Sequence, residues 1–194
     1  MTGKGGASMP DAIRRAVLDG FAMPRSSAAI AAPCPPATRF ILRGGPEATA
    51  RVGPAFGAPP PLEPLRSLTA GPRSALWMGP DEWLLIAEDA PAALGATLEA
   101  ALAPIPHALV DVSHRQSAIA LSGRGAARLL NAGVPLDLDL LAFPVGMVAR
   151  TLLTKAEIVL WRREREVFRV EFSRSFGPYV IAILTQAASD QELC

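Results

Sequence analysis

Apolar positions along this chain follow two rhythms, and each predicts its own kind of element. Short runs with β-branched and aromatic residues between turn signals read as strands: Thr38 to Gly44, Ala75 to Met78, Trp83 to Ala87, the stretch from Leu109, Met147 to Leu153, Glu157 to Trp161, and Val167 to Phe172. The sequence "GPDE" between the second and third runs predicts a hairpin, since Pro80 presets φ and Asp81 suits a turn. The charged run "RRERE" predicts a second hairpin end facing solvent. Helical spacing appears in "PAALGATLEAALAP", opened by Pro91 and stopped by Pro104, and in "LSGRGAARLLNAG", where Ser122 is the expected N-cap and Gly133 the stop. It appears again from Phe176 through Tyr179, Val180, Ile183, Leu184 and Ala187, one apolar face. The order lacks regular βαβ alternation, so the expected class is α+β, with mixed, largely antiparallel sheets and packed helices.

Two regions break these rhythms. Residues 1–37 are rich in Gly, Ala, Ser and Pro, with a short helix expected around Asp11 to Leu18, and read as a flexible N-terminal tail that orders only against something else. Residues 38–194 read as a single domain interrupted by a Pro-rich linker at 46–64, where "APPPLEP" favours extended polyproline geometry.

Composition narrows the class. At 194 residues the chain is long enough for one sizeable core. Half of it is hydrophobic and its formal net charge is +1, so no excess charge drives it to nucleic acid or to an anionic membrane. All of its basic residues except Lys4 and Lys155 are arginine, a bias that fits bidentate pairing at interfaces and equally a GC-rich genome. Cys34 and Cys194 have no partner at metal-ligand spacing. No run approaches the ~20 apolar residues of a membrane span, the N-terminal stretch lacks a signal-peptide core, and a cytoplasmic location is expected.

Candidate chemistry begins at "LVDVSHRQSAIALSG", where Asp111, Ser113 and His114 imitate a hydrolytic triad. If Leu109 to Leu121 is one strand, Asp111 and Ser113 share a face and His114 points to the other, against the apolar side of the sheet. Asp111 and Ser113 are then expected to bind backbone where the strand bends. The "SGRG" turn has only G-x-G of a dinucleotide fingerprint, with Ala126 and Arg128 where the third glycine belongs. His107 and His114 form no metal pair with carboxylates. Trp77, Trp83 and Trp161 are expected in core or interface packing, and Arg150, Arg162, Arg163 and Arg174 as solvated surface charges. Neither a catalytic nor a metal residue is expected.

The blocks "LWMGPDEWLLIA", "LVDVSHRQSAIALSGRGAARLLNAGVPLDL", "FPVGMVARTLLTKAEIVLWR" and "FRVEFSRSFGPYV" together resemble the gamma subunit of heterotetrameric sarcosine oxidase, from about Arg39 to Ala188. The "DVSH" block with its following helix is similar to the folate-binding domain of the glycine-cleavage T-protein, so that fold is expected. The resemblance implies a non-catalytic subunit, active in sarcosine catabolism and one-carbon metabolism only within a complex with alpha, beta and delta subunits. FAD, FMN, NAD and tetrahydrofolate are then expected in the partner subunits, and no cofactor on this chain. A similar chain serves N-methylglutamate dehydrogenase, which leaves that substrate as an alternative.

Where the T-protein carries an acidic pair, this sequence has Lys155, Ala156 and Glu157, so a stand-alone folate-dependent one-carbon enzyme would have to rely on Glu157. The residues expected to face a partner are Trp77, Asp81, Glu82, Trp83, Arg115, Arg150 and Arg174.

Overall fold

The computed structural model describes residues 16–89 and 91–192. Two five-stranded sheets, antiparallel at every pairing, lie face to face, and each carries a pair of helices on its outer face. The first sheet has the order β1 (Ile30–Pro33), β7 (Gln116–Ser122), β10 (Val167–Ser173), β9 (Ala156–Glu164), β8 (Val148–Leu153). The second has the order β3 (Ser67–Ala70), β4 (Arg73–Gly79), β5 (Glu82–Ala87), β2 (Thr38–Gly44), β6 (His107–Asp111). The helices are α1 (Pro46–Phe56) and α2 (Leu94–Leu102) on the second sheet, α3 (Ala126–Asn131) and α4 (Gly177–Glu192) on the first. The expected α+β class is therefore correct. Among the described residues no helix is long and apolar enough to cross a membrane.

Strand alternation explains the layers. On β10, Phe168, Val170 and Phe172 face the core under α3 and α4 together with Ile158 and Leu160 of β9. On β5, Trp83, Leu85 and Ala87 face α1 and α2 while Leu84 and Ile86 face the opposite sheet. Leu76, Leu84, Ile86, Val112, Val148 and Trp161 close the space between the sheets. Because both faces of the central strands are covered, a side chain pointing either way is removed from water.

Two expectations are corrected by this packing. Residues 46–56 are a helix and not an extended linker. Pro46 occupies its first turn, where a missing N–H costs nothing, and Ala48, Val52 and Phe56 recur at four-residue spacing on the buried side. Pro54 sits in the last turn and removes one interior bond, and Gly57 ends the helix at φ 87°, its N–H bonding Gly53 O at 2.9 Å. Only the segment that follows is irregular; there Pro61 O accepts the Trp83 indole N–H at 2.7 Å.

The other correction concerns residues 16–37, which dock on the chain itself. Leu18, Ala29 and Ala31 are buried in the core of the first sheet, and β1 pairs with β7. Most of the helix expected over Asp11 to Leu18 lies outside the described residues; Val17 to Gly20 form a turn.

Candidate functional site

The segment that imitates a triad is a crossing point between the two sheets. β6 ends at Asp111, Val112 is buried between the sheets, and the chain turns before β7 begins at Gln116 on the other sheet. Leu109 to Leu121 is thus not one strand, so strict alternation does not apply across the turn. Asp111, Ser113 and His114 all line the same cleft, and His114 is exposed rather than held against an apolar face.

The polar groups of this turn are used for stitching. The Asp111 carboxylate accepts the Ser113 N–H at 2.8 Å, an Asx turn, and the Ser113 hydroxyl accepts the Arg39 N–H at 2.9 Å. Both therefore bind backbone at the bend, as expected. Partial burial raises the Asp111 pKa, but the hydroxyl and N–H of Ser113 and the charge of His114 outweigh it and leave it below its ordinary value.

The cleft has a volume of about 890 Å³ and runs between the loop that joins β1 to β2, the start of α2 and this turn. Its inner wall includes Arg39, whose guanidinium is already committed. Arg39 Nε and Nη2 donate to Glu171 at 2.8 and 3.3 Å, and Nη1 donates to Ala37 O at 3.0 Å. Arg169 reaches the same carboxylate at 2.7 Å and Glu88 at 2.5 Å. Arg39, Arg169 and Glu171 are 3%, 1% and 1% exposed, so one carboxylate bridges two arginines inside the sandwich. Cys34 adjoins this cluster, and burial pushes its thiol pKa up despite the nearby arginines, which keeps it protonated.

Sequence reasoning missed this cluster. Its only trace is the alternation "FRVEF", which places Arg169 and Glu171 on the face opposite Phe168 and Phe172.

The residues expected to face a partner are scattered over different environments. Trp83 is 3% exposed and hydrogen-bonded, so it belongs to the core and is withdrawn from that set. Trp77, its cross-strand neighbour, is half-buried. Arg43 donates to the Asp81 carboxylate at 3.1 Å, and Glu82 pairs with Arg150, joining β5 to β8 at the rim. Arg115 and Arg174 are exposed at one turn, where the Arg174 N–H bonds Arg115 O at 2.8 Å.

Glu157, the acid of the folate-enzyme alternative, is 70% exposed and 3.9 Å from Arg150, an open surface pair and not a buried acid. Among the described residues no group of three or more His, Cys, Asp or Glu is placed to hold a metal.

The G-x-G turn also has a structural cause. Gly123 has φ 115°, and a Cβ there would collide with Ala28 O; a Cβ on Gly125 would meet the Ala28 Cβ at 2.8 Å. The glycines let residue 28 approach, and Gly125 N–H bonds Ala28 O at 2.9 Å. Ser122 is not the cap: Gly125 holds that position, with no side-chain bond.

Comparison with known proteins fits this architecture. A search of solved structures finds heterotetrameric sarcosine oxidase from Corynebacterium sp. U-96, one chain of which superposes with a TM-score of 0.85 at 28% identity, covering 92% of this chain and 96% of that one. The glycine cleavage aminomethyltransferase T of Bartonella henselae shares the fold at a TM-score of 0.62 and 16% identity, over 85% of this chain and 50% of the other. Curated sarcosine oxidase gamma subunits from Corynebacterium sp. strain U-96 and from an Arthrobacter species are 36% and 34% identical over 60% of this chain. The matched region spans 57% of the length of the first of these relatives and 59% of the second. The profile of the sarcosine oxidase gamma subunit family matches residues 44–190. This chain belongs to the sarcosine oxidase gamma subunit family.

Proposed function

We propose that this chain is the gamma subunit of a heterotetrameric sarcosine oxidase, a structural member of an oxidoreductase complex that has no reaction centre of its own. The observation that carries this reading is the superposition on a chain of the heterotetrameric enzyme over nearly the full length of both. The side-chain chemistry supports it, because the polar groups at the triad-like sequence bind backbone and the buried Glu171 carboxylate is taken up by Arg39 and Arg169. Sarcosine, rather than N-methylglutamate, is the substrate named in the sarcosine oxidase relatives. The flavins FAD and FMN, NAD and tetrahydrofolate are then held by the alpha and beta subunits, with delta completing the assembly in the cytoplasm.

Trp77, Asp81, Arg115 and Arg174 are the side chains proposed to meet these partners. Glu82 and Arg150 contribute as a pair already formed within the chain. Affinity purification of the tagged full-length chain from its native source tests the reading. Three further subunits, flavin absorbance and sarcosine-dependent oxygen uptake are expected in the eluate. Recovery of the chain alone from cells growing on sarcosine, or an active oxidase assembled without it, would overturn the proposal.

A further inference from the structure

A second recess lies away from the inter-sheet cleft, at the end of the first sheet, where α3, the loop before Leu141 and the β9–β10 hairpin meet. It has a volume of about 450 Å³. Arg124, Arg128, Arg162 and Arg165 line it, opposed only by the carboxylates of Asp139 and Glu166 among its lining residues, a local excess of two positive charges in a chain whose net charge is +1. The first two arginines belong to the "SGRGAARLL" sequence, whose glycines serve packing against residue 28.

Arg162 sets this recess apart from an ordinary charged surface. On β9 it takes the next position after Ile158 and Leu160 on the helix-covered face, so it is only 2% exposed although it sits in a run of charges. One nitrogen, Nη2, donates to Leu138 O at 2.6 Å, and the guanidinium carbon lies 4.5 Å from the Phe168 ring centre. Nε and Nη1 are buried with no hydrogen-bond partner among the described residues. Burial lowers the Arg162 pKa, opposed by Asp139, so the cation is incompletely compensated. A buried cation with two unmatched donors in an arginine-rich recess has the chemistry of an anion site, because charge-assisted bonds to oxygen restore what desolvation removed.

We propose that this recess binds a phosphate group, seated between the Arg162 guanidinium and the rim arginines Arg124, Arg128 and Arg165. A phosphate dianion matches the excess of two charges and offers acceptor oxygens in several directions, which suits guanidiniums converging from a helix and a hairpin better than a single flat carboxylate does. The proposal goes beyond the role in the oxidase complex and uses none of the residues proposed to meet partners.

Titration of the full-length chain with inorganic phosphate, against sodium chloride at matched ionic strength, tests the site by calorimetry and by thermal unfolding. Millimolar phosphate is expected to bind and to raise the Tm by a few degrees beyond chloride. R128Q/R165Q, which alters only exposed side chains, is expected to weaken binding at least about tenfold, the value of ~1.4 kcal/mol. E166Q removes a repelling carboxylate and is expected to tighten binding several-fold, which a purely structural role of the arginines would not produce. R162M is expected to abolish the response; should it not fold, the two surface variants decide. A phosphate effect no larger than that of chloride, or equal affinities for the parent chain, R128Q/R165Q and E166Q, would overturn the proposal.

Discussion

Between the sheets, Glu171 is held by Arg39 and Arg169; at the rim of the same sandwich, Glu82 is held by Arg150, with Arg43 at 3.9 Å. Both groupings put a carboxylate between arginines from different strands. Their surroundings differ: Glu171 is 1% exposed, whereas Arg150 and Arg43 are 43% and 56% exposed. In the interior each ion loses its hydration, and its partners must replace it, so the members stabilise the fold only as a set. At the rim, water and salt screen the pair, and two flexible arginines lose side-chain entropy by holding still. The interior cluster therefore fixes how the two sheets face one another, and the rim cluster adds little to stability.

The largest expected effect follows from breaking the interior set. Glu171→Ala leaves Arg39 and Arg169 buried without their shared carboxylate and is expected to cost about 3–5 kcal/mol in urea unfolding. A loss below about 1 kcal/mol would mean that the interior cluster is solvated like the rim, and the contrast would fail. Removing the rim cation by Arg150→Ala is expected to cost about 0.2–1 kcal/mol, a difference that shrinks further in 1 M salt. A salt-insensitive loss as large as that of Glu171→Ala would erase the distinction from the other side.

The smallest effect belongs to another surface pair, His107 with Glu99 at the edge strand β6. His107 Nε2 lies 3.1 Å from the carboxylate and Nδ1 lies 2.7 Å from Ile105 O. The Ile105 carbonyl, then the Glu99 bond, raise the His107 pKa above the ordinary histidine value of about 6.5. The charged form is favoured by folding, so this contribution is fully present below the unfolded value and is lost as pH rises through the higher folded value. His107→Gln is expected to flatten the stability profile in that window and to leave the acid limb unchanged. An unaltered profile across neutral pH would show that the pair contributes nothing.

The same contrast explains which parts of the molecule could be read in advance. The hairpins around "GPDE" and "RRERE" are local products of turn chemistry, and both form where the sequence places them: β4 with β5, and β9 with β10. The helices opened near Pro91 and running from Gly177 follow from spacing alone. Residues 46–56 differ from the expected linker because the Ala48, Val52, Phe56 period outweighs proline content when one proline lies in the first turn and the other in the last.

Arg162 departs from the expected surface charge for a related reason. Its place in the alternation Ile158, Leu160, Arg162 decides its burial, and its charge does not. The apparent triad looked like one strand because nothing local distinguishes a strand that continues from one that ends, turns and changes sheets.

The amino-acid order by itself determined the period of each segment, the turns between them and the α+β class, because these depend on neighbours within a few residues. It also carried the family resemblance, block by block. Only the tertiary structure decided which charges lost their water. Whether Arg39, Arg169, Glu171 and Arg162 meet solvent or protein depends on a second layer closing over a strand face, and the residues of that layer lie far away along the chain. Burial is a property of the assembled layers, so side chains that look alike in the sequence become structural at one place, open at another, and at the Arg162 recess poised for an anion.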